Sequence, residues 1–137
     1  MSTAREIMTS DVTCVGENET VAVAAQKMAD LGVGSLPICG DDDRLKGMVT
    51  DRDIVIRVIA KGRDPKNVKA GELAQGKPVT IGADDDTTEV LRTMAGHKVR
   101  RLPVIDGHQL IGIVAVADVA RALPDRPVGD LIDAISS

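Results

Sequence analysis

The residues with the clearest chemical potential lie in one short motif: a glycine, two apolar residues, a hydroxyl residue and, three positions later, an aspartate. It occupies residues 47–53, Gly-Met-Val-Thr-Asp-Arg-Asp. If Thr50 stands where a strand gives way to a helix, its hydroxyl and the free N–H groups of the helix can face one phosphate. Asp53, one turn further on the same face, can accept hydrogen bonds from two ribose hydroxyls. Gly47 permits close approach of the strand, and Arg52 is a further candidate contact, so the motif suits a nucleotide.

The same spacing has a purely structural interpretation. Thr50 can be a helix N-cap, and Asp53 can be a carboxylate that the helix dipole favours in the first turn. Because N-caps are common, spacing alone favours this interpretation over a ligand site.

A second copy of the motif departs from the pattern. Residues 112–118 keep the glycine and end on Asp118, but Ala115 stands at the hydroxyl position. A hydrogen bond to a charged group is worth about 1.5–3 kcal/mol. We therefore expect Asp118 to mark a weaker or vestigial site.

One basic cluster, residues 97–101, precedes the second of two Leu-Pro pairs. Arg100 or Arg101 could pair with a polyphosphate. For either arginine alone, a solvated loop that offsets nearby acids is the simpler interpretation. The corresponding residues of the first copy are Gly34 and Ser35, which again makes the two copies unequal.

Metal ligands are sparse. His97 and His108 are the two histidines of the chain, too few for a zinc site within one chain. Symmetry could bring two copies together, so zinc between subunits is a secondary hypothesis. The aspartate triplets at residues 41–43 and 84–86 lack the ligand spacing of a calcium loop, and we expect turn or cap residues there.

These motifs belong to an internal repeat. Residues 33–38, Val-Gly-Ser-Leu-Pro-Ile, reappear as residues 99–104, Val-Arg-Arg-Leu-Pro-Val. Each copy runs from a β-branched segment through a helical hydrophobic period and a hairpin pattern to a second helix. This order predicts an α/β (α+β) fold of two β-α-β-β-α repeats, whose first two strands are parallel neighbours. We expect repeats at residues 1–62 and 69–124, followed by a helical tail at residues 125–137.

Two further expectations depend on this strand order. Cys14 on the first strand and Cys39 on the second would be neighbours, so a disulfide is geometrically feasible. The alternative is two small buried thiols, which a reducing cytosol would preserve. The closing helix of the first repeat is apolar over about half its circumference, which implies a partner besides its own sheet, either the sister repeat or a second chain.

The Leu-Pro strands and residues 47–53 together resemble a tandem pair of CBS domains, the regulatory modules named after cystathionine beta-synthase. The resemblance covers nearly the whole chain, and residues 13–17 and 36–45 are similar to short, free-standing actinobacterial members. It implies two repeats packed as a pseudo-symmetric pair, a disc-like homodimer, and a cleft for AMP, ADP, ATP, S-adenosylmethionine or NADH. It also favours Thr50 and Asp53 as ligand residues over the capping interpretation.

Composition excludes several classes of protein. The 137 residues are 43% hydrophobic and 28% charged with no Phe, Tyr or Trp, which argues against a disordered chain or a membrane protein. An adenine slot would need aliphatic walls, which Val12, Val15, Ile38 and the sister repeat could supply. A net charge of −4 and the lack of stacking rings argue against nucleic-acid binding. The first residues do not form a secretory signal, so a cytoplasmic location is expected.

We therefore expect a non-enzymatic regulatory module that binds an adenosine-containing ligand without a required cofactor. It would signal occupancy by a change of shape, to an unidentified partner protein or through its dimer. No Ser-His-Asp or Cys-His order suggests catalysis. The rival hypothesis is a structural or interaction protein that keeps the fold, has lost nucleotide binding, and is stabilised by a disulfide or an intersubunit metal.

Overall fold

A computed structural model describes residues 2–74 and 76–122, together with Gly129 and Ile135. The chain divides into two compact units. The first unit is Thr13–Pro78, and the second unit combines Met1–Val12 with Val79–Ser137. The segment before Thr13, which the expected boundaries of 1–62 assign to the first repeat, therefore packs with the second β-α-β-β-α repeat.

The helices and strands alternate in the predicted order. In chain order they are α1 (Ala4–Ile7), β1 (Val15–Gly16), α2 (Val21–Leu31), β2 (Ser35–Cys39), β3 (Leu45–Thr50), α3 (Asp51–Ile54), a π-helix (Val55–Ile59), two 3-10 helices (Pro65–Asn67 and Ala70–Leu73), β4 (Ile81–Gly82), α4 (Thr87–His97), β5 (Arg101–Asp106), β6 (Gln109–Ala115) and α5 (Val116–Ala122). The mixed α/β fold with two three-stranded sheets is thus confirmed.

The first unit contains the sheet β1-β2-β3. Strand β1 is parallel to β2, and β2 forms an antiparallel hairpin with β3. Helix α2 makes the crossover between β1 and β2. It begins where the Thr20 hydroxyl accepts a hydrogen bond from the Val23 N–H at 3.3 Å, and it ends at Gly32, whose φ of 67° is left-handed.

Aliphatic side chains from the sheet, from α2 and from the 3-10 segments form the core of the first unit. Its buried members are Val15, Val21, Ala24, Met28, Leu36, Ile38, Val49, Ile54, Val58, Val68, Ala70 and Leu73. Each fully buried large aliphatic side chain contributes about 1.5–3 kcal/mol. A stable core therefore needs none of the missing aromatic residues.

The second unit repeats this plan with the sheet β4-β5-β6 and a cap at Asp86. The start of the chain is tied to it by backbone hydrogen bonds, including a reciprocal pair between Thr9 and Ile113 at 2.8 and 3.0 Å. The buried core residues are Ala4, Ile81, Ala83, Val90, Met94, Leu102, Val104, Val114 and Val119. Within the helical tail expected at residues 125–137, Ile135 is helical and packs against this core. The tail's other apolar residues, Val128, Leu131 and Ile132, lie outside the described residues.

The closing helix of the first repeat differs from a regular helix. After the single turn of α3 the chain continues as a π-helix, in which Val55, Ile56 and Ile59 are exposed at 57%, 42% and 54%. This exposed set, which we call the apolar face, bears out the prediction of a second apolar side on this helix. Among the helices that the structure describes, none has the length and apolar character to cross a membrane.

Candidate ligand-binding site

Thr50 and Asp53 lie at the junction where β3 ends and α3 begins. The Thr50 hydroxyl oxygen accepts a hydrogen bond from the Asp53 N–H at 3.0 Å, and Oδ2 of Asp53 accepts one from the Thr50 N–H at 3.1 Å. This reciprocal pair is a capping box. The predicted ligand residues therefore cap the helix in this structure, and the capping interpretation describes their contacts correctly.

The capping box leaves part of the hydrogen-bonding capacity of both side chains unused. A hydroxyl that accepts one bond still has a proton to donate, and a carboxylate has a second oxygen. Within the described part of the chain, Oδ1 of Asp53 has no hydrogen-bond partner. The junction thus holds an oriented carboxylate with one oxygen fixed and the other available.

The first N–H groups of α3 are not free to bind a phosphate, although the sequence predicts that they would be. The Asp51 N–H donates to the Gly34 carbonyl at 2.9 Å, the Arg52 N–H to Oδ1 of Asp51 at 2.8 Å, and the Asp53 N–H to Thr50. Because the first three amides are occupied, a phosphate contact at this junction falls to the Thr50 hydroxyl. The side chain of Arg52 is exposed beside it.

The motif glycines make room for a segment of their own unit. Gly47 is buried opposite Ile38, and a Cβ at Gly47 would lie 2.9 Å from the Cβ of Ala74. A Cβ at Gly112 would lie 2.9 Å from the carbonyl oxygen of Thr9 and against the side chain of Met8. The predicted close approach is therefore made by protein backbone and side chains.

Val15 and Ile38, the predicted walls of an adenine slot, face each other across β1 and β2 and have no exposed area. The structure places both side chains in the core of the first unit. Sequence could not separate the two roles, because a buried strand position and an apolar slot both favour aliphatic residues.

The second junction, between β6 and α5, has different chemistry. The Ala115 N–H donates to Oδ2 of Asp118 at 2.8 Å, as in the first junction. Oδ1 of Asp118, however, is paired with the guanidinium of Arg121. The Asp118 side chain is only 8% exposed. Sequence reasoning missed Arg121, although its position three residues after Asp118 on a helix was an available signal.

The backbone of the basic cluster is hydrogen-bonded to this second junction. The Arg100 carbonyl accepts a hydrogen bond from the Val116 N–H at 3.0 Å, as Gly34 does at the first junction. Arg101 begins β5. Both arginine residues are exposed, which suits either the solvated loop or an anion contact.

Cys14 and Cys39 are joined by a disulfide with 5.9 Å between their Cα atoms. Glu19 lies close by, where its Oε1 accepts hydrogen bonds from the Gly16 N–H at 2.8 Å and the Lys27 ammonium at 3.2 Å. The Gly16 bond, assisted by Lys27, holds the pKa of Glu19 below its ordinary value despite some desolvation. Lys27 also donates to the Cys14 carbonyl at 2.9 Å, so one network secures the chain around β1.

Both histidines lie at surface positions of the second unit. His97 ends α4, and His108 lies in the turn between β5 and β6; both are exposed. In the described ranges no group of three or more His, Cys, Asp or Glu residues could hold a metal ion. The aspartate triplets occupy turns and caps as predicted, with Asp42 accepting from the Arg44 N–H and Asp86 capping α4.

Comparison with known proteins identifies the class of this fold and these junctions. The CBS domain family matches residues 4–60 and 70–125, so the chain belongs to the CBS domain family. CBS domains are in general regulatory, non-catalytic modules, and no catalytic family is indicated.

Individual relatives extend this result. The chain is 53% identical to Hypoxic response protein 1 of Mycobacterium tuberculosis over 137 residues, all of this chain and 96% of that protein. The crystal structure of Hypoxic Response Protein I with two coordinated zinc ions has 55% identity and a TM-score of 0.84, over 90% of this chain and 100% of that one. The crystal structure of CBSX2 in complex with AMP has 27% identity and a TM-score of 0.77, over 89% of this chain and 96% of that one. The predicted resemblance is confirmed.

Proposed function

We propose that the protein is a regulatory module that binds an adenosine-containing ligand at the β3–α3 junction. The free oxygen of Asp53 carries this proposal, because Oδ2 is fixed by the Thr50 N–H while Oδ1 has no partner in the described chain. An oriented acceptor of this kind suits a pair of ribose hydroxyls. The complex of the relative CBSX2 with AMP supports the same ligand class.

In this proposal the two side chains divide the recognition of the ligand. Asp53 accepts from the ribose, and Thr50 donates its hydroxyl proton to a phosphate oxygen while its oxygen keeps the bond to the Asp53 N–H. A hydrogen bond to a charged group is worth about 1.5–3 kcal/mol. Each of these contacts should therefore change affinity by about tenfold or more.

Calorimetric titration with AMP, ADP and ATP tests the phosphate contact. Thr50→Ala should weaken binding about tenfold, whereas Thr50→Ser, which keeps a hydroxyl for both the cap and the phosphate, should bind nearly as the wild type does. Equal affinities for Thr50→Ala and Thr50→Ser would contradict the assignment. Because the chain has no Trp or Tyr, a 260 nm absorbance of the purified protein would also reveal bound nucleotide directly.

We further propose that the protein acts as a homodimer through the apolar face. Val55, Ile56 and Ile59 follow directly on α3, so one continuous helical segment carries both the ligand junction and this face. Such an arrangement could pass ligand occupancy to the dimer. Ile59→Glu should shift the sedimentation coefficient to that of a monomer, and Leu31→Glu, an equally exposed apolar position on α2, should not. An unchanged dimer in Ile59→Glu would rule out this interface.

A structural protein without nucleotide binding is the second candidate function. The capping box and the occupied amides of α3 favour it, since they explain Thr50 and Asp53 without a ligand. The zinc-bound relative adds the related possibility of zinc held between copies through His97 and His108. Equilibrium dialysis that shows no binding at millimolar nucleotide would support this candidate. Emission spectrometry that shows no stoichiometric zinc in the purified protein would eliminate the hypothesis of zinc between copies.

A further inference from the structure

The two junctions share one backbone arrangement and differ at one oxygen atom. In each, the aspartate Oδ2 accepts from the N–H of the last strand residue, at 3.1 Å from Thr50 and 2.8 Å from Ala115. Oδ1 of Asp53 is free among the described residues, whereas Oδ1 of Asp118 is paired with Arg121. The carboxylate oxygen that could accept from a ribose in the first junction therefore has an equivalent in the second junction that already accepts from Arg121.

Arg121 pairs with this oxygen from the same helix. Arg121 lies three residues after Asp118 on α5, and its side chain is 70% exposed while that of Asp118 is 8% exposed. The guanidinium thus pairs with a buried carboxylate while most of the arginine side chain remains exposed. The corresponding residue of the first repeat is Ile56, which has no donor and is 42% exposed.

We propose that Arg121 is a specificity-determining residue that closes the second junction to adenosine-containing ligands. The inference rests on the proposed function of the first junction. A neutral ribose hydroxyl would have to displace a charge-assisted hydrogen bond, and bonds between ionised partners are roughly twice as strong as neutral ones. The missing hydroxyl at Ala115 removes one contact, but the Arg121 pair removes the acceptor itself.

The test isolates the second junction by disabling the first with Asp53→Asn. In that background we measure AMP binding by calorimetry after adding Arg121→Ile, which installs the residue of the first repeat, or Arg121→Lys, which keeps a cation. Ala115→Thr is added to each to supply the phosphate contact. We expect the Ile variant with Ala115→Thr to bind one AMP at least tenfold more tightly than the matched Lys variant. Arg121→Met, which keeps a long side chain but has no hydrogen-bond donor, replaces Arg121→Ile if the latter fails to fold.

The outcomes separate the two proposals. If the wild type binds AMP but the Ile and Lys variants bind equally weakly, the role of Arg121 is overturned and the function of the first junction stands. If the wild type does not bind but the Ile variant does, the first-junction assignment fails and the role of Arg121 stands. If neither the wild type nor the Ile variant binds AMP, both proposals are overturned.

Discussion

The disulfide between Cys14 and Cys39 should be a major contributor to the stability of the first unit. The two cysteines are 25 residues apart in sequence, and closing a loop of that length removes unfolded-state entropy worth about 3.5 kcal/mol at 25 °C. Their Cα separation of 5.9 Å lies within the normal range for a disulfide. At about 3 °C per kcal/mol for a chain of this size, reduction should lower the melting temperature by about 10 °C.

Differential scanning calorimetry of the same protein, oxidised and reduced, measures this difference without any substitution. Intact mass spectrometry fixes the redox state of each sample, since reduction adds two hydrogens. The double variant Cys14→Ala and Cys39→Ala is the control, because its melting must not respond to the reductant. Melting temperatures of the oxidised and reduced wild type that agree within about 2 °C would refute the entropic argument.

The remaining predictions concern packing and charge. Gly112→Ala should destabilise the second unit by about 1–3 kcal/mol, because the new Cβ meets the Thr9 carbonyl 2.9 Å away. Gly96→Ala in α4, where nothing lies within 4 Å of the added Cβ, should instead stabilise by up to about 1 kcal/mol in urea denaturation. The lowered pKa of Glu19 adds stability above its ordinary pKa of 4.5. Denaturation curves against pH should therefore show the cost of Glu19→Gln at neutral pH fading as the pH falls through the lowered pKa; a constant cost would refute this.

Local signals in the sequence account for most of the repeat architecture. The alternation of hydrophobic periods and the caps at Thr20 and Asp86 depend on residues a few positions apart, so their elements could be predicted from short windows. The parallel pairing of β1 with β2 follows from the crossover helix between them. The first strand differs from the β-branched segment at residues 12–15 that predicts it, because Val15 and Gly16 are the residues that pair with β2.

The sequence was less informative about contacts between distant residues. Nothing local indicates that the first twelve residues pack with the second unit through Thr9 and Ile113, because that choice is set by long-range pairing. The burial of Ile38 and the pairing of Asp118 with Arg121 likewise depend on where neighbouring elements pack. The sequence did single out Thr50 and Asp53 together, and their direct contact reflects the three-residue spacing of a capping box.

Calorimetric titration of AMP into the wild type and Asp53→Asn decides whether Asp53 holds an adenosine-containing ligand. Asparagine keeps an oxygen for the Thr50 N–H but removes the free carboxylate acceptor. Asp51→Asn is the matched control, because Asp51 is an acidic neighbour on the same turn whose carboxylate accepts from the Arg52 N–H and from no other described residue. We predict that Asp53→Asn weakens AMP binding at least tenfold while Asp51→Asn binds as the wild type does. Equal AMP affinity in the wild type and Asp53→Asn, or no binding to the wild type at millimolar AMP, would contradict the claim.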